Sequence, residues 1–331
     1  MRAYNQANGP QERLVKLMGS VFQQMSQSAG EPVVPGLFIN QLYTVFPDFA
    51  EKKENSMVPM QQDAEECFSR LLTTLDGRLG GEGGGDDAVV KRLFAIKMSV
   101  AYKCEEAESD ASEGVELTYK LPCHIGKDTS FLLTGLTQSL DEHITKHSSS
   151  LNREAVFVKR QRILRLPKHL VVQFVRFYWK PGVGKKEGNR AKVVKPIQFP
   201  ETLDMFDLCH VSLQEKLRIT RQIAEQKEEQ RLGLASADSA MQIDKPHFEK
   251  DENETGKYRL SAIITHEGYS AEGGHYVAWV RSGEGKQTDW YLFDDDKVTK
   301  QTYETVAALS RSTGDGPIPY LLVYSAVPPA E

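Results

Sequence analysis

No stretch of this chain approaches the roughly 18 consecutive apolar residues that a membrane span requires. Nor does the N-terminus carry the charged region, apolar stretch and small-residue cleavage site of a secretory leader. Both absences point to a soluble, intracellular protein with no membrane partner. Cysteine is scarce: Cys67, Cys104, Cys123 and Cys209 are too few and too far apart for a disulfide framework, which fits a cytoplasmic or nuclear setting. No basic stripe is present either. The 41 Lys and Arg against 46 Asp and Glu leave a net charge of −5, and the cations are scattered, which argues against nucleic acid as the main partner. No internal repeat is visible. What the chain does have is 331 residues, 40% of them apolar, enough to bury a sizeable core in one large domain or two ordinary ones.

The apolar period divides the chain. Between Gln11 and Gln27 the residues Leu14, Val15, Leu17, Met18, Val21, Phe22 and Met25 fall near helical spacing, with Pro10 at the start. Further helices are predicted from about Leu37 to Phe46 and from about Gln61 to Leu79, the latter ending in a glycine run. From Ala95 the period becomes two. Ile96, Met98, Val100 and Tyr102 alternate, as do Val115, Leu117 and Tyr119, and further strands are expected at 155–165, 170–177, 258–264, 276–280, 290–293 and 319–324. Helices followed by many non-local strands predict an α+β architecture. The segment 211–257 breaks the pattern with a thin apolar stripe in a charge-rich run. It reads as an insertion within one domain, and 233–256 is expected to have little to bury and to be mobile.

The chemistry concentrates in Gly273-Gly274-His275-Tyr276-Val277-Ala278-Trp279 and Trp290-Tyr291-Leu292-Phe293-Asp294-Asp295-Asp296. A histidine opening one strand and an aspartate closing the next can meet at the shared end of a hairpin. An imidazole titrating near pH 6.5 takes a proton near neutrality, and a carboxylate beside it fixes its tautomer. The glycines let the chain bend and let another backbone approach closely. The same spacing also suits an ordinary strand followed by a solvated acidic turn.

These two segments together resemble the histidine box of ubiquitin-specific proteases. Gln61-Gln62-Asp63-Ala64-Glu65-Glu66 resembles that family's Gln-Gln-Asp box, Leu166 to Phe177 the strand before its ubiquitin-facing loop, and Lys192 to Pro200 with Leu203-Asp204 the segment that follows. The four matches occur in family order and, with their spacing, cover essentially the whole chain. Phe131 to Leu136, Phe293 to Val298, and Leu203 to Cys209 leading into a charged insertion are most similar to the proteasome-associated branch, whose members carry an N-terminal ubiquitin-like domain.

The resemblance implies a papain-like fold with a helical thumb over 1–93 and a β-rich palm and fingers over 94–331. It implies hydrolysis of the isopeptide bond after the C-terminal glycine of ubiquitin, with ubiquitin conjugates and the proteasome regulatory particle as partners. His275 would be the general base and acid, Asp294 its orienting carboxylate, and Asp295 an assistant. Gln62, Asp63, Phe177, Gly273, Gly274 and Tyr276 would face ubiquitin, and loops at about 177–192 and 266–274 would flank the channel for its tail. Asp63 also suits a plain helix cap.

The family opens its domain with a cysteine box of the type Gly-Asn-Thr-Cys-Tyr, and this chain has no such stretch. Its first residues resemble the sequence just downstream, so an N-terminal truncation is expected, and a chain that by itself hydrolyses nothing. The alternatives are a catalytically dead ubiquitin- or proteasome-binding pseudoenzyme, or a scaffold for the charged insertion. Cys67 stands beside two carboxylates on a predicted helix, which disfavours a thiolate. Many family members bind zinc through two Cys-x-x-Cys pairs. Cys104 and Cys123 occupy the approximate places of those pairs, but each stands alone, short of the four ligands zinc prefers, so no metal and no cofactor is expected.

Overall fold

The computed structural model describes residues 9–28, 30–52, 57, 59–80, 85, 88–180, 189–233, 244–268, 273–283, 288–314 and 316–329. The chain forms two compact units that divide between Val90 and Lys91.

The first unit is helical: α1 (Pro10–Gln27), α2 (Gly36–Val45) and α3 (Ala64–Leu79). Proline in the first turn of α1 costs no hydrogen bond, because that N–H has no intrahelical partner. Leu14, Leu42 and Phe49 form its small buried core, with Cys67 and Leu71 packed against it. The third helix starts three residues later than the sequence predicts. Asp63 explains why: its carboxylate accepts the Glu65 N–H at 2.9 Å, so it is the N-cap and not part of the helix.

A short helix, α4 (Val89–Phe94), carries the chain into the second unit, which holds two main sheets. Strands β1 (Ile96–Cys104), β2 (Ser112–Thr118), β4 (Asp141–Ser148) and β5 (Arg153–Arg165) form an antiparallel sheet in the order β2-β1-β5-β4. The larger sheet runs β13-β12-β11-β10-β14-β6-β3, with β9 (Thr202–Asp204) also paired to β10. Its strands are β3 (Leu121–His124), β6 (His169–Val175), β10 (Lys257–Glu267), β11 (His275–Ser282), β12 (Asp289–Asp294), β13 (Lys297–Gln301) and β14 (Ile318–Ala326). Only the β3–β6 pairing in this sheet is parallel. A two-stranded ribbon, β7 (Phe177–Lys180) with β8 (Asn189–Lys192), stands apart. The core sits between these elements: Leu170, Val172, Phe174, Ile263, Leu322 and Tyr324 are all fully buried. Helix α5 (Leu132–Leu140) was not foreseen. It buries Leu132, Leu136 and Leu140 at one-turn spacing, and its Gly135 lies so close to Cys123 Sγ that a Cβ there would collide.

Two expectations need correcting. The predicted strand 170–177 breaks at Arg176, whose buried guanidinium donates to the carbonyls of Pro319 (2.6 Å), Val193 (3.0 Å) and Lys195 (2.9 Å). These bonds tie the end of β6 to two other stretches of chain, and burial pushes the Arg176 pKa down to about 10.

The second correction concerns the charge-rich segment 211–257, of which 233–256 was expected to have little to bury. Residues 211–231 form a 21-residue helix, α6 (Val211–Arg231), because a thin stripe of Leu213, Leu217 and Thr220 is enough when one face alone is covered. Beyond it, Asn253 is buried, and its side chain accepts the Thr255 and Gly256 N–H groups and donates to the Lys257 carbonyl. Glu252 pairs with buried Arg165 at 3.0 Å. These polar side chains, with Phe248 packed against the main core, order 244–256; residues 234–243 of the expected mobile stretch lie outside the described residues. No described helix is long and apolar enough to cross a membrane.

Candidate active site

Strands β11 and β12 pair antiparallel from Ala278↔Phe293 to Ser282↔Asp289, so the first residue of one and the last residue of the other lie at the same end of the pair. Those residues are His275 and Asp294. The imidazole Nε2 lies 2.6 Å from Asp294 Oδ1. Asp294 pairs with Lys297 across the turn into β13, and Asp295 takes a positive φ of 52° there, a conformation aspartate tolerates better than most residues. Ligand atoms of His275, Asp294 and Asp295 all fall within 4.8 Å of one another, the sole such cluster among the described residues. An ordinary strand with a detached acidic turn is therefore not what the chain builds.

The hydrogen bond that His275 donates to Asp294 raises the His275 pKa, with the charges of Asp295, Asp294 and Glu267 adding to it and partial desolvation opposing. The pair is half-exposed, so the ring can both receive a proton from a neighbour and release it. Nε2 is the engaged nitrogen, which leaves Nδ1 on the other edge for proton exchange; a half-turn of the ring swaps the two.

Gly274 has φ +150° and Gly268 φ +102°. A Cβ on Gly274 would collide with the Glu267 carbonyl oxygen, and one on Gly268 would stand 3.1 Å from the Gly274 Cα. The chain thus crosses itself immediately before His275, at a point where only glycine fits. Tyr276, next along β11, packs on His266 with ring centroids 4.7 Å apart and the planes tilted by 60°, and Phe177 meets the same His266 ring edge-on at 5.4 Å. Gly268, Gly274, Tyr276 and Phe177 therefore gather at the start of the hairpin that carries His275. Gln62 and Asp63 belong to the helical unit, half-buried at the start of α3. Of the two predicted channel loops, 181–188 and 269–272 lie outside the described residues.

His266 and Lys192 were foreseen only as loop boundaries. A histidine closing an otherwise apolar strand from Leu260 was the available signal. Burial, helped by Glu66, raises the Cys67 pKa, and burial pushes Cys123 and Cys209 up to about 12. Cys104 packs with Ala155 and Phe157 while Cys123 lies in the main core, so the two do not share a cluster.

A mixed α+β unit with a His–Asp pair at a hairpin end, beside a glycine crossing, fits the papain-like cysteine hydrolases. Comparison with known proteins narrows the class. The family model described as ubiquitin carboxyl-terminal hydrolase matches residues 1–324. Ubiquitin carboxyl-terminal hydrolase 6 of Arabidopsis thaliana is 35% identical over 332 aligned residues, covering 92% of this chain and 66% of that protein. The Schizosaccharomyces pombe protein of the same name is 33% identical, covering 91% and 68%, and ubiquitin carboxyl-terminal hydrolase 14 of Caenorhabditis elegans is 34% identical, covering 91% and 60%. The chain belongs to the ubiquitin carboxyl-terminal hydrolase family and has its papain-like fold. It spans about two thirds of the length of these relatives.

Proposed function

We propose that this chain carries the His–Asp half of the active centre of a deubiquitinating cysteine protease, which hydrolyses the isopeptide bond after the C-terminal glycine of ubiquitin. The contact between His275 and Asp294 is the observation that supports it. A cysteine thiolate attacks the glycine carbonyl, and His275, having taken the thiol proton, gives it to the departing lysine amine. The acyl-enzyme thioester is then attacked by a water that His275 deprotonates. Asp294 holds the ring, and Asp295 adds negative charge beside it. Gln62, Asp63, Phe177, Gly273, Gly274 and Tyr276 face the ubiquitin tail, with 1–93 as thumb and 94–331 as palm and fingers of one domain. The protein acts in the cytoplasm or nucleus, on conjugates held by the proteasome regulatory particle.

The lack of a cysteine box among the four cysteines favours a second reading, a pseudoenzyme that binds ubiquitin without cleaving it. Both readings are tested by titrating ubiquitin into the purified chain while following a ubiquitin–fluorophore substrate. Saturable binding without release of fluorophore is expected. Absence of binding defeats both readings, and turnover defeats the assignment of the nucleophile.

A further inference from the structure

Lys192 ends β8, and its ammonium reaches out of that ribbon to one short stretch of another strand. An ammonium has three N–H donors. Lys192 Nζ donates to His266 Nδ1 at 2.8 Å, to the His266 carbonyl at 3.0 Å and to the Gly268 carbonyl at 2.7 Å. Because an ammonium cannot accept, His266 Nδ1 must be the unprotonated nitrogen, and the ring is the neutral Nε2–H tautomer. The surroundings agree. Burial, with the charges of Lys192 and His275 acting the same way, pushes the His266 pKa down to about 4. Burial and the Arg176 guanidinium push Lys192 down to about 8 against the opposing Glu267 carboxylate, so it remains charged at neutral pH.

Both groups that Lys192 holds press on one residue. A Cβ on Gly274 would stand 2.5 Å from His266 Nε2 and 2.7 Å from its Cε1, and the Gly268 backbone packs on the Gly274 Cα. Gly274 is the residue before His275. The His266 ring is also clasped in a closed cycle of four rings, Phe177 to His266 to Tyr276 to Tyr320 and back, with centroids 4.7–5.9 Å apart. That cycle fixes the plane of the ring, and Lys192 fixes its rotation and its tautomer. If strand cohesion were all that this position served, an apolar side chain would provide it without the desolvation cost of a half-buried ammonium.

We propose that Lys192 is a positioning residue for hydrolysis: by holding the His266 ring and the Gly268 carbonyl against Gly274, it sets the angle at which β11 presents His275 to Asp294. The proposal rests on the reading of His275 and Asp294 as the catalytic pair. Displacements of about 1 Å in such geometry cost on the order of 10²-fold in rate, so a residue that never touches substrate can still govern the reaction.

The test uses the whole 331-residue chain with ¹⁵N-labelled histidines, observed by long-range ¹H–¹⁵N spectra from pH 5 to 9. In the unmodified protein His266 is expected as the neutral Nε2–H tautomer throughout, with His275 titrating above its ordinary value of 6.5. In Lys192→Met, His266 loses its single tautomer and the His275 midpoint falls toward the ordinary value although Asp294 is intact. Where Lys192→Met does not fold, Lys192→Leu, which likewise has no N–H donor on its side chain, is judged by the same criterion. A His275 midpoint that stays elevated in the folded variant overturns the proposal and leaves the catalytic pair standing. An ordinary His275 midpoint in the unmodified chain counts against the pair itself, and the proposal falls with it.

Discussion

Gly274→Ala probes the crossing that aims His275. Two costs arise. The residue sits at φ +150°, a conformation that only glycine adopts freely, and forcing a side chain into it costs on the order of 1–3 kcal/mol. The new methyl group also collides with the Glu267 carbonyl and the His266 ring. Relieving that overlap moves the backbone where Glu267 pairs with His275, and losing one such hydrogen bond costs about 0.5–1.5 kcal/mol. Together these predict a destabilisation of roughly 2–4 kcal/mol, read as a lower urea midpoint at unchanged slope. Gly114→Ala is the control, because nothing lies within 4 Å of a Cβ there; it is expected to fall within about 0.5 kcal/mol of the parent. The histidine spectra of Gly274→Ala should also show His275 titrating closer to its ordinary value, since the ring is displaced from Asp294. Equal stability of the two glycine variants, with His275 unmoved, would refute the claim that a tight crossing positions the histidine.

His266 gives the protein an acid-sensitive core. It binds a proton near pH 6.5 when unfolded but only near 4 when folded, so the unfolded chain holds more protons between those values, and stability falls as pH drops through that window. The loss across it is roughly 3 kcal/mol, and His266→Gln, which does not titrate, should flatten the slope in urea melts. His275 has the opposite sign: its folded pKa is raised, so its contribution is complete below about 6.5 and is lost as pH rises through the folded value. Asp63→Ala removes the cap of α3 and should cost about 0.5–2 kcal/mol by urea unfolding, whatever it does to ubiquitin affinity. A ubiquitin-tailed electrophile should leave the chain unlabelled at neutral pH, and labelling that vanishes in Cys67→Ser would make Cys67 the nucleophile despite its raised pKa. A chelator should leave the melting temperature unchanged; a drop of several degrees with stoichiometric metal by elemental analysis would show a structural ion.

The candidate pair His275 and Asp294 was legible because a hairpin turns sequence spacing into proximity: the start of one strand and the end of the next, 19 residues on, lie at the same end of an antiparallel pair. Strands β6, β10, β11, β12 and β14 of the large sheet were legible because their alternating or continuous apolar runs are local signals, whereas the short β3, β9 and β13 were not predicted. What escaped was ordered by partners distant in sequence. Lys192 and His266 are 74 residues apart, and nothing in either neighbourhood announces the contact. The break at Arg176 depends on the Pro319 carbonyl, 143 residues away. The stretch after α6 was underestimated because Asn253 and the Glu252–Arg165 pair tie it down, polar groups that a count of apolar residues ignores. Asp63 shows the reverse case, a local N-cap that shortened a helix the apolar period had overextended.

The account stands on His275 as the catalytic base held by Asp294. The most direct measurement is single-turnover cleavage of a ubiquitin–fluorophore conjugate by the chain extended at its N-terminus with a family cysteine-box segment, alongside ubiquitin affinity, for His275→Ala, Asp294→Asn and Asp295→Asn. Loss of general acid–base catalysis predicts a fall of about 10²- to 10⁴-fold for His275→Ala. Asp294→Asn should fall between that and the parent or match it, Asp295→Asn should lose far less, and all three should bind ubiquitin as the parent does. Cleavage at near the parent rate in His275→Ala would contradict the account and place the base elsewhere.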